Sequence, residues 1–271
     1  MKRKFLGLAL CSAVLAFSGI AYAEEALQAA ISGEHRAAEN KARDTSRHPL
    51  ETLQFFEVQP DHTVVEINPG GGWYTEILGP YLKDEGTLYL AVFADDSEKS
   101  YAPRLNAKSK EMTANKELYG NVQYSVMDTP NAVGPVAPAG SADRVLTFRN
   151  VHNWMADGSG EAAFVAFYEA LKPGGILGVV EHRAKADKEQ DPKAVSGYVR
   201  EDYVIGLAEA AGFELVEKSE INANPKDTAD HPEGVWTLPP RFRLGEQDRE
   251  KYQEIGESDR MTLKFVKPLD S

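Results

Sequence analysis

Hydrophobic and polar positions along this chain switch repeatedly between two periods. Short runs of β-branched and aliphatic residues alternate with longer stretches whose apolar residues recur every three or four positions. The first short run is Thr63 to Ile67, the second Gly86 to Phe93 and the third Val122 to Val126. Asp143 to Phe148, Ile176 to Val180, Phe213 to Ser219 and Met261 to Val266 complete seven expected strands. Between them, Trp73 to Leu82, the polar stretch 96–119 (broken by Pro103), Gly160 to Leu171 and Tyr198 to Ala211 predict helices. Strands and helices in alternation predict an α/β fold, a mainly parallel sheet with helices on both faces. Thr129 to Gly140, with three prolines and two glycines, predicts a loop.

Ahead of the first strand the pattern is different. Residues 24–48 are rich in Ala, Glu, Arg and Lys with little β-branching, and predict one or two surface helices. Leu50, Leu53, Phe55 and Phe56 mark a short amphipathic helix leading into the sheet. The organisation expected is a helical segment over 24–60 and one large domain over 61–271.

The extreme N-terminus changes the compartment. Met1-Lys2-Arg3-Lys4 is basic, Phe5 to Ile20 is apolar, and Ala21-Tyr22-Ala23 has the small-x-small form of a cleavage site. This is the layout of a secretory signal peptide over residues 1–23, so a periplasmic or secreted protein is expected. The apolar run is short for a bilayer span, and no stable membrane insertion is expected after cleavage. Cleavage would also remove Cys11, the single cysteine, leaving no disulfide, thiolate nucleophile or cysteine-bound metal. The formal net charge of −12 becomes three units more negative when Lys2, Arg3 and Lys4 are lost. So acidic a surface argues against nucleic acid or anionic lipid as the main partner and leaves a small molecule as the expected ligand.

Candidate chemistry starts at Glu66-Ile67-Asn68-Pro69-Gly70-Gly71-Gly72, where a buried strand ends in a carboxylate and passes through a glycine turn into a helix. Glycine lets a ligand approach the backbone, and the helix behind it offers unpaired N–H groups. Two further signals accompany it: Leu171-Lys172-Pro173-Gly174-Gly175 before the fifth long strand, and Ala211-Gly212-Phe213 before the sixth.

Together these features resemble the class I S-adenosylmethionine-dependent methyltransferase family over roughly residues 50–220 plus the final strand. Thr147 to Trp154 and His231 to Trp236 are most similar to its secreted or periplasmic predicted members. The resemblance implies a Rossmann-like sheet of seven strands, the last antiparallel, and S-adenosylmethionine as cofactor. It implies that Glu66, Asn68, Gly70 and Gly72 line the methionine end and that Asp128 lies near the adenine. It places Asn150, Val151 and His152 beside the transferred methyl. Two positions depart from the family pattern. Asn68 stands where its first glycine belongs, and Val92 falls where a carboxylate usually holds the ribose, leaving Asp95 or Asp96 to reach back.

Independently of the resemblance, ligands of open parallel sheets bind beyond the carboxyl ends of the strands. Glu66, Asp95, Asp128, Asn150, His152, Glu181 and His182 all fall there. His152 is the expected base, Arg149 or Asn153 the orienting group, and Tyr74 and Trp154 the apolar walls. About forty residues separate the last two strands, and the segment 222–258, with His231 and Trp236, is expected to hang over the cleft as a lid or substrate wall. No metal site is expected, although His152, Glu181, His182 and His231 can be imagined converging on zinc or iron. A non-catalytic binding or scaffold protein that keeps the fold is the other class the sequence leaves open.

Overall fold

A computed structural model describes residues 22–270; the expected signal peptide, apart from Tyr22 and Ala23, lies outside the described residues. The chain starts with a helix over 22–32 (α1), followed by α2 (Ala38–Lys41), α3 (Asp44–Arg47) and α4 (Pro49–Phe55). The sheet elements are β1 (Thr63–Ile67), β2 (Thr87–Val92), β3 (Gln123–Asp128), β4 (Ala132–Val133), β5 (Ala142–Phe148), β6 (Leu171–His182), β7 (Glu214–Ser219) and β8 (Arg260–Val266). They form one sheet in the order β4-β3-β2-β1-β5-β6-β8-β7. β1, β2, β3, β5 and β6 are parallel, and β8 runs antiparallel to both β6 and β7. This is the Rossmann-like sheet of class I methyltransferases with one additional short strand. That extra strand, β4, pairs antiparallel to β3 inside the stretch expected to be a loop.

Both faces of the sheet are covered, which is why β1 is buried from Val64 to Ile67 rather than alternating. On one face lie α8 (Val151–Asp157), α9 (Gly160–Ala170) and α10 (Glu201–Ala210). Trp154, Phe164 and Phe167 pack there around Val145, Leu177 and Leu263. On the other face α1, α4 and α5 (Thr75–Leu82) bury Leu27, Leu53, Phe56, Ile77 and Leu78. Each such side chain contributes about 1.5–3 kcal/mol of burial.

The N-terminal helices are therefore not surface helices. Leu27 and Ile31 enter the core, and Arg47 is almost fully enclosed. An Ala- and Arg-rich composition reads as solvated, but these arginines stack on an aromatic ring. The Arg36 and Arg47 guanidinium carbons lie 5.1 and 4.8 Å from the Trp73 ring centre, and Trp73 donates its indole N–H to the Asn40 carbonyl at 2.9 Å. The segment is thus fastened over the glycine turn. The remaining described helices, α6 (Ala102–Met112), α7 (Lys116–Tyr119) and α11 (Arg249–Ile255), and a 3-10 turn at Gly234–Thr237, fill the β2–β3 and β7–β8 connections.

Candidate active site

The strand order reverses between β1 and β5, and a cavity of about 470 Å³ opens above their carboxyl ends. Its floor is Glu66 and the turn 68–71, and one wall is Phe148 to Asn150 with His152 and His182. The N-terminal segment closes a second side through Asn40, Arg43 and Arg47. The β7–β8 connection closes a third through Trp236, Pro239, Pro240, Arg241, Glu257 and Ser258.

The floor explains the departure at Asn68. Asn68, Gly70 and Gly72 all have left-handed φ, at 43°, 59° and 83°. Asparagine tolerates that region better than other side-chain-bearing residues. It also does something glycine cannot, because its amide donates to the Met127 carbonyl at 2.8 Å while its own N–H bonds the Ala91 carbonyl at 2.8 Å. One residue thereby ties together the ends of β1, β2 and β3. A Cβ on Gly70 would meet nothing nearer than the Asn68 carbonyl at 4.0 Å, so the turn presents bare backbone. Below it Glu66 is 2% exposed and accepts the Thr75 hydroxyl at 2.7 Å. Burial pushes its carboxyl up to about 7, against the lowering effect of that hydrogen bond.

The wall carries a built histidine–carboxylate pair. Glu181, at the end of β6, is fully buried. Its carboxylate accepts the backbone N–H of His182 at 2.7 Å and of His152 at 3.3 Å, and faces His152 Nδ1 at 3.1 Å. A carboxylate only accepts, so Nδ1 carries the proton and Nε2 keeps a lone pair. His182 Nδ1 bonds the Ser258 hydroxyl at 2.6 Å, and the two imidazole centres are 5.5 Å apart. Burial, then His152, Arg149, Arg260 and Arg47, hold His182 well below the usual histidine range, so it is neutral.

His152, Glu181 and His182 bring possible metal-donor atoms within 4.8 Å of one another. Their surroundings oppose a cation. Glu181 already accepts from three N–H groups, and the neighbouring charges that lower His182 are His152 and the guanidinium groups of Arg149, Arg260 and Arg47. His231 is not among them: its Nε2 bonds Asp227 at 2.8 Å.

Of the residues singled out from the sequence, Glu66, Asn68, Gly70, Tyr74, Arg149, Asn150, His152, His182 and Trp236 line this same cavity. Asn150 is held by hydrogen bonds to the Ile67 carbonyl at 3.0 Å and the Thr147 hydroxyl at 3.2 Å, linking β5 to β1. Arg149 adopts φ 62°, a strained conformation of about 1–2 kcal/mol for a residue with a Cβ. Gly72 lies behind the turn, where a Cβ would meet Met112.

Asp95 and Asp128 do not reach this space. The Asp95 side chain is 90% exposed and 3.5 Å from Lys110. Asp128 is buried and held by Lys99 at 3.2 Å, and Lys99 also bonds the Thr129 carbonyl. Trp154 is core rather than wall, packed edge-on against Phe164, and Asn153 is exposed. The aromatic wall is Tyr74, stacked on Phe148 with centres 3.5 Å apart, together with Trp236.

Arg43, Arg47, Glu257 and Ser258 were not foreseen. The i,i+4 spacing of Arg43 and Arg47 is the one trace they leave in the sequence; Glu257 and Ser258 arrive through the tertiary fold.

No protein-family model and no curated protein matches the chain. Solved structures do. A SAM-dependent methyltransferase from Aquifex aeolicus superimposes with a TM-score of 0.55 at 16% identity, over 83% of this chain and 93% of that one. The [4+2]-cyclase SpnF gives a TM-score of 0.55 at 16% identity, covering 88% and 86%. A putative sarcosine dimethylglycine methyltransferase from Galdieria sulphuraria gives 0.54 at 13%, covering 84% and 85%. At these identities the likeness establishes the fold: this chain has the class I methyltransferase architecture.

Proposed function

We propose that the protein transfers a methyl group from S-adenosylmethionine to a small acceptor held in the β1–β5 cavity. The observation that carries this reading is that Glu66, the bare glycine turn and the His152–Glu181 pair all open on one cavity. Glu66 and the main chain at 68–71 suit the ammonium and carboxylate of the methionine moiety. The adenosine end is less provided for. Val92 has no polar side-chain atom for a ribose hydroxyl, and Asp128 is shared with Lys99. When bound, the cofactor supplies a methyl group on a positively charged sulfur, a good leaving group.

Little covalent help is then required of the protein, and positioning with removal of one proton supplies most of the rate. The acceptor's lone pair forms the new bond to carbon, the carbon–sulfur pair leaves with sulfur, and His152 Nε2 takes the acceptor's proton. Glu181 fixes the tautomer that makes Nε2 the acceptor of that proton. Tyr74, Phe148 and Trp236 exclude water, and Arg149 orients the acceptor. The connection over 222–258 acts as a substrate wall, a role supported by Trp236 and the two prolines after it.

The protein works in the periplasm or outside the cell in this reading, supported by the basic, apolar and Ala-x-Ala sequence of residues 1–23. Among the described residues no helix is long and apolar enough to cross a membrane.

Calorimetric titration with S-adenosylmethionine and S-adenosylhomocysteine tests the proposal. Dissociation constants in the micromolar range, about −8 kcal/mol, are expected. No heat and no thermal shift at millimolar ligand would mean the fold serves as a binding scaffold instead.

A further inference from the structure

The cavity is basic in an otherwise acidic chain. Arg43, Arg47, Lys108, Arg149 and Arg241 line it, against Glu66 and Glu257. Glu257 is shared by three guanidinium groups, Arg43 Nε at 2.6 Å, Arg47 Nε at 3.3 Å and Arg260 Nη2 at 3.0 Å. Burial alone would push its carboxyl up, but Arg260, Arg47 and Arg43 outweigh burial and hold it at about 2. A fourth guanidinium, on Arg149, lies within electrostatic reach of this group and has no hydrogen bond or ion pair to another described residue.

Four cations against one carboxylate leave a large surplus of positive charge, and the Arg47 and Arg260 side chains are almost fully buried. Two like charges 5 Å apart repel by about 3 kcal/mol at an effective dielectric constant of 20. The burial cost is visible in Arg47 and Arg149, both lowered by desolvation first and by neighbouring arginines next, Arg149 to about 10. Hydrogen-bonding capacity is also in surplus. The Nη2 atoms of Arg43 and Arg47 are buried without a partner, although the Arg47 side chain is only 2% exposed. Buried donors without partners cost about 1–3 kcal/mol each. An oxyanion in the cavity beside the cluster would give the Arg149 guanidinium an acceptor and offset the repulsion at once, and forked guanidinium groups match carboxylate and phosphate oxygens.

Position decides which molecule brings the oxyanion. Glu66 and the glycine turn occupy the floor, whereas Arg149 precedes α8 on the same turn that delivers His152. A molecule anchored on Arg149 therefore extends toward the base.

We propose that Arg43, Arg47 and Arg149 form a subsite for an oxyanion, a carboxylate or phosphate group carried by the methyl acceptor, so that the acceptor is an anionic small molecule. The word acceptor rests on the methyl-transfer reading; the oxyanion subsite does not.

The test is titration of the full protein with inorganic phosphate, followed by intrinsic tryptophan fluorescence, to which Trp73 and Trp236 contribute from the cavity wall, with and without saturating S-adenosylhomocysteine. Saturable binding is expected, unchanged when S-adenosylhomocysteine is present and weakened about tenfold or more in Arg149→Gln, the loss of one charge-assisted contact. Arg43→Gln, at the more exposed edge of the cluster, should weaken it similarly if Arg149→Gln fails to fold. No saturable binding, or binding indifferent to both substitutions, would overturn the subsite. Phosphate displaced by S-adenosylhomocysteine would overturn the acceptor assignment and give the cluster to the cofactor's own carboxylate. If S-adenosylhomocysteine does not bind but phosphate binds through Arg149, the methyl-transfer reading fails and the oxyanion subsite stands.

Discussion

His152 and Glu181 are joined across the cavity wall, with Nδ1 3.1 Å from a carboxylate oxygen that also accepts the His182 backbone N–H at 2.7 Å. The carboxylate is fixed by main chain before it touches the imidazole. Its direction, and with it that of the imidazole, is set by the meeting of β6 with the first turn of α8.

Glu181→Gln should therefore disturb tautomer and stability together. Nitrogen-15 NMR of the wild type should show His152 as the Nδ1–H form, and the variant should show a mixture. With the amide oxygen kept toward His182 N and His152 Nδ1, the amide nitrogen faces the His152 backbone N–H, which should also cost about 1–3 kcal/mol in urea unfolding. A single unchanged tautomer in the variant would remove Glu181 as the orienting group.

Glu66 should make both stability and binding depend on pH near neutrality. Its folded-state value of about 7 lies above the unfolded value of 4.5, so its contribution is complete below 4.5 and is lost as the pH rises through 7. The loss is about 3 kcal/mol. Urea unfolding between pH 5 and 8 should show this slope in the wild type and a flatter profile in Glu66→Gln. Because an ammonium ligand favours the ionised carboxyl, S-adenosylmethionine binding near pH 6 should release a proton, visible as buffer-dependent heats. Heats independent of buffer would place the ammonium elsewhere.

Gly70→Val should separate binding from folding. The left-handed φ of 59° imposes about 1–2 kcal/mol of strain, which a domain of this size survives. The new side chain stands over the turn where the ligand approaches. S-adenosylhomocysteine affinity should fall beyond calorimetric detection while circular dichroism is unchanged. Retained affinity would show that the turn does not carry the ligand.

Glu257→Gln should expose the charge surplus. Removing the carboxylate leaves Arg43, Arg47 and Arg260 without their shared partner, and losses of about 3–5 kcal/mol follow when a buried pair is broken. The wild type should itself lose stability in acid as the pH falls from 4.5 toward 2, where this carboxylate protonates. Added sulfate should raise the melting temperature of the variant more than that of the wild type. Equal shifts would argue that the arginines do not act as one anion-binding group.

Much of this architecture was legible beforehand, because it is written in local periodicity. The runs starting at Thr63, Gly86, Val122, Asp143, Phe213 and Met261 each became a strand within two residues of the expected place, whereas β6 begins at Leu171, well ahead of the expected Ile176, and takes in the Lys172-Pro173-Gly174-Gly175 stretch expected to be a turn. Buried parallel strands and amphipathic helices carry their own hydrophobic signature. Glu66, Gly70, Asn150 and His152 were legible for the same reason, since strand ends in such sheets converge on one edge.

What the sequence determined by itself, then, was the sheet, the edge on which the cavity opens and the turn beneath it. Which polar side chains share that space was decided by tertiary structure. Asp95 and Asp128 sit at strand ends like Glu66, yet one faces solvent and the other is held by Lys99. Arg43 and Arg47 sit in a segment that reads as a solvated helix, yet a tryptophan some thirty residues away draws Arg47 inward. Glu257 lies more than two hundred residues from Arg43 and Arg47, which it joins. Hydrophobic periodicity is a local property of the chain, whereas charge pairing depends on which distant segments the fold brings within a few ångströms.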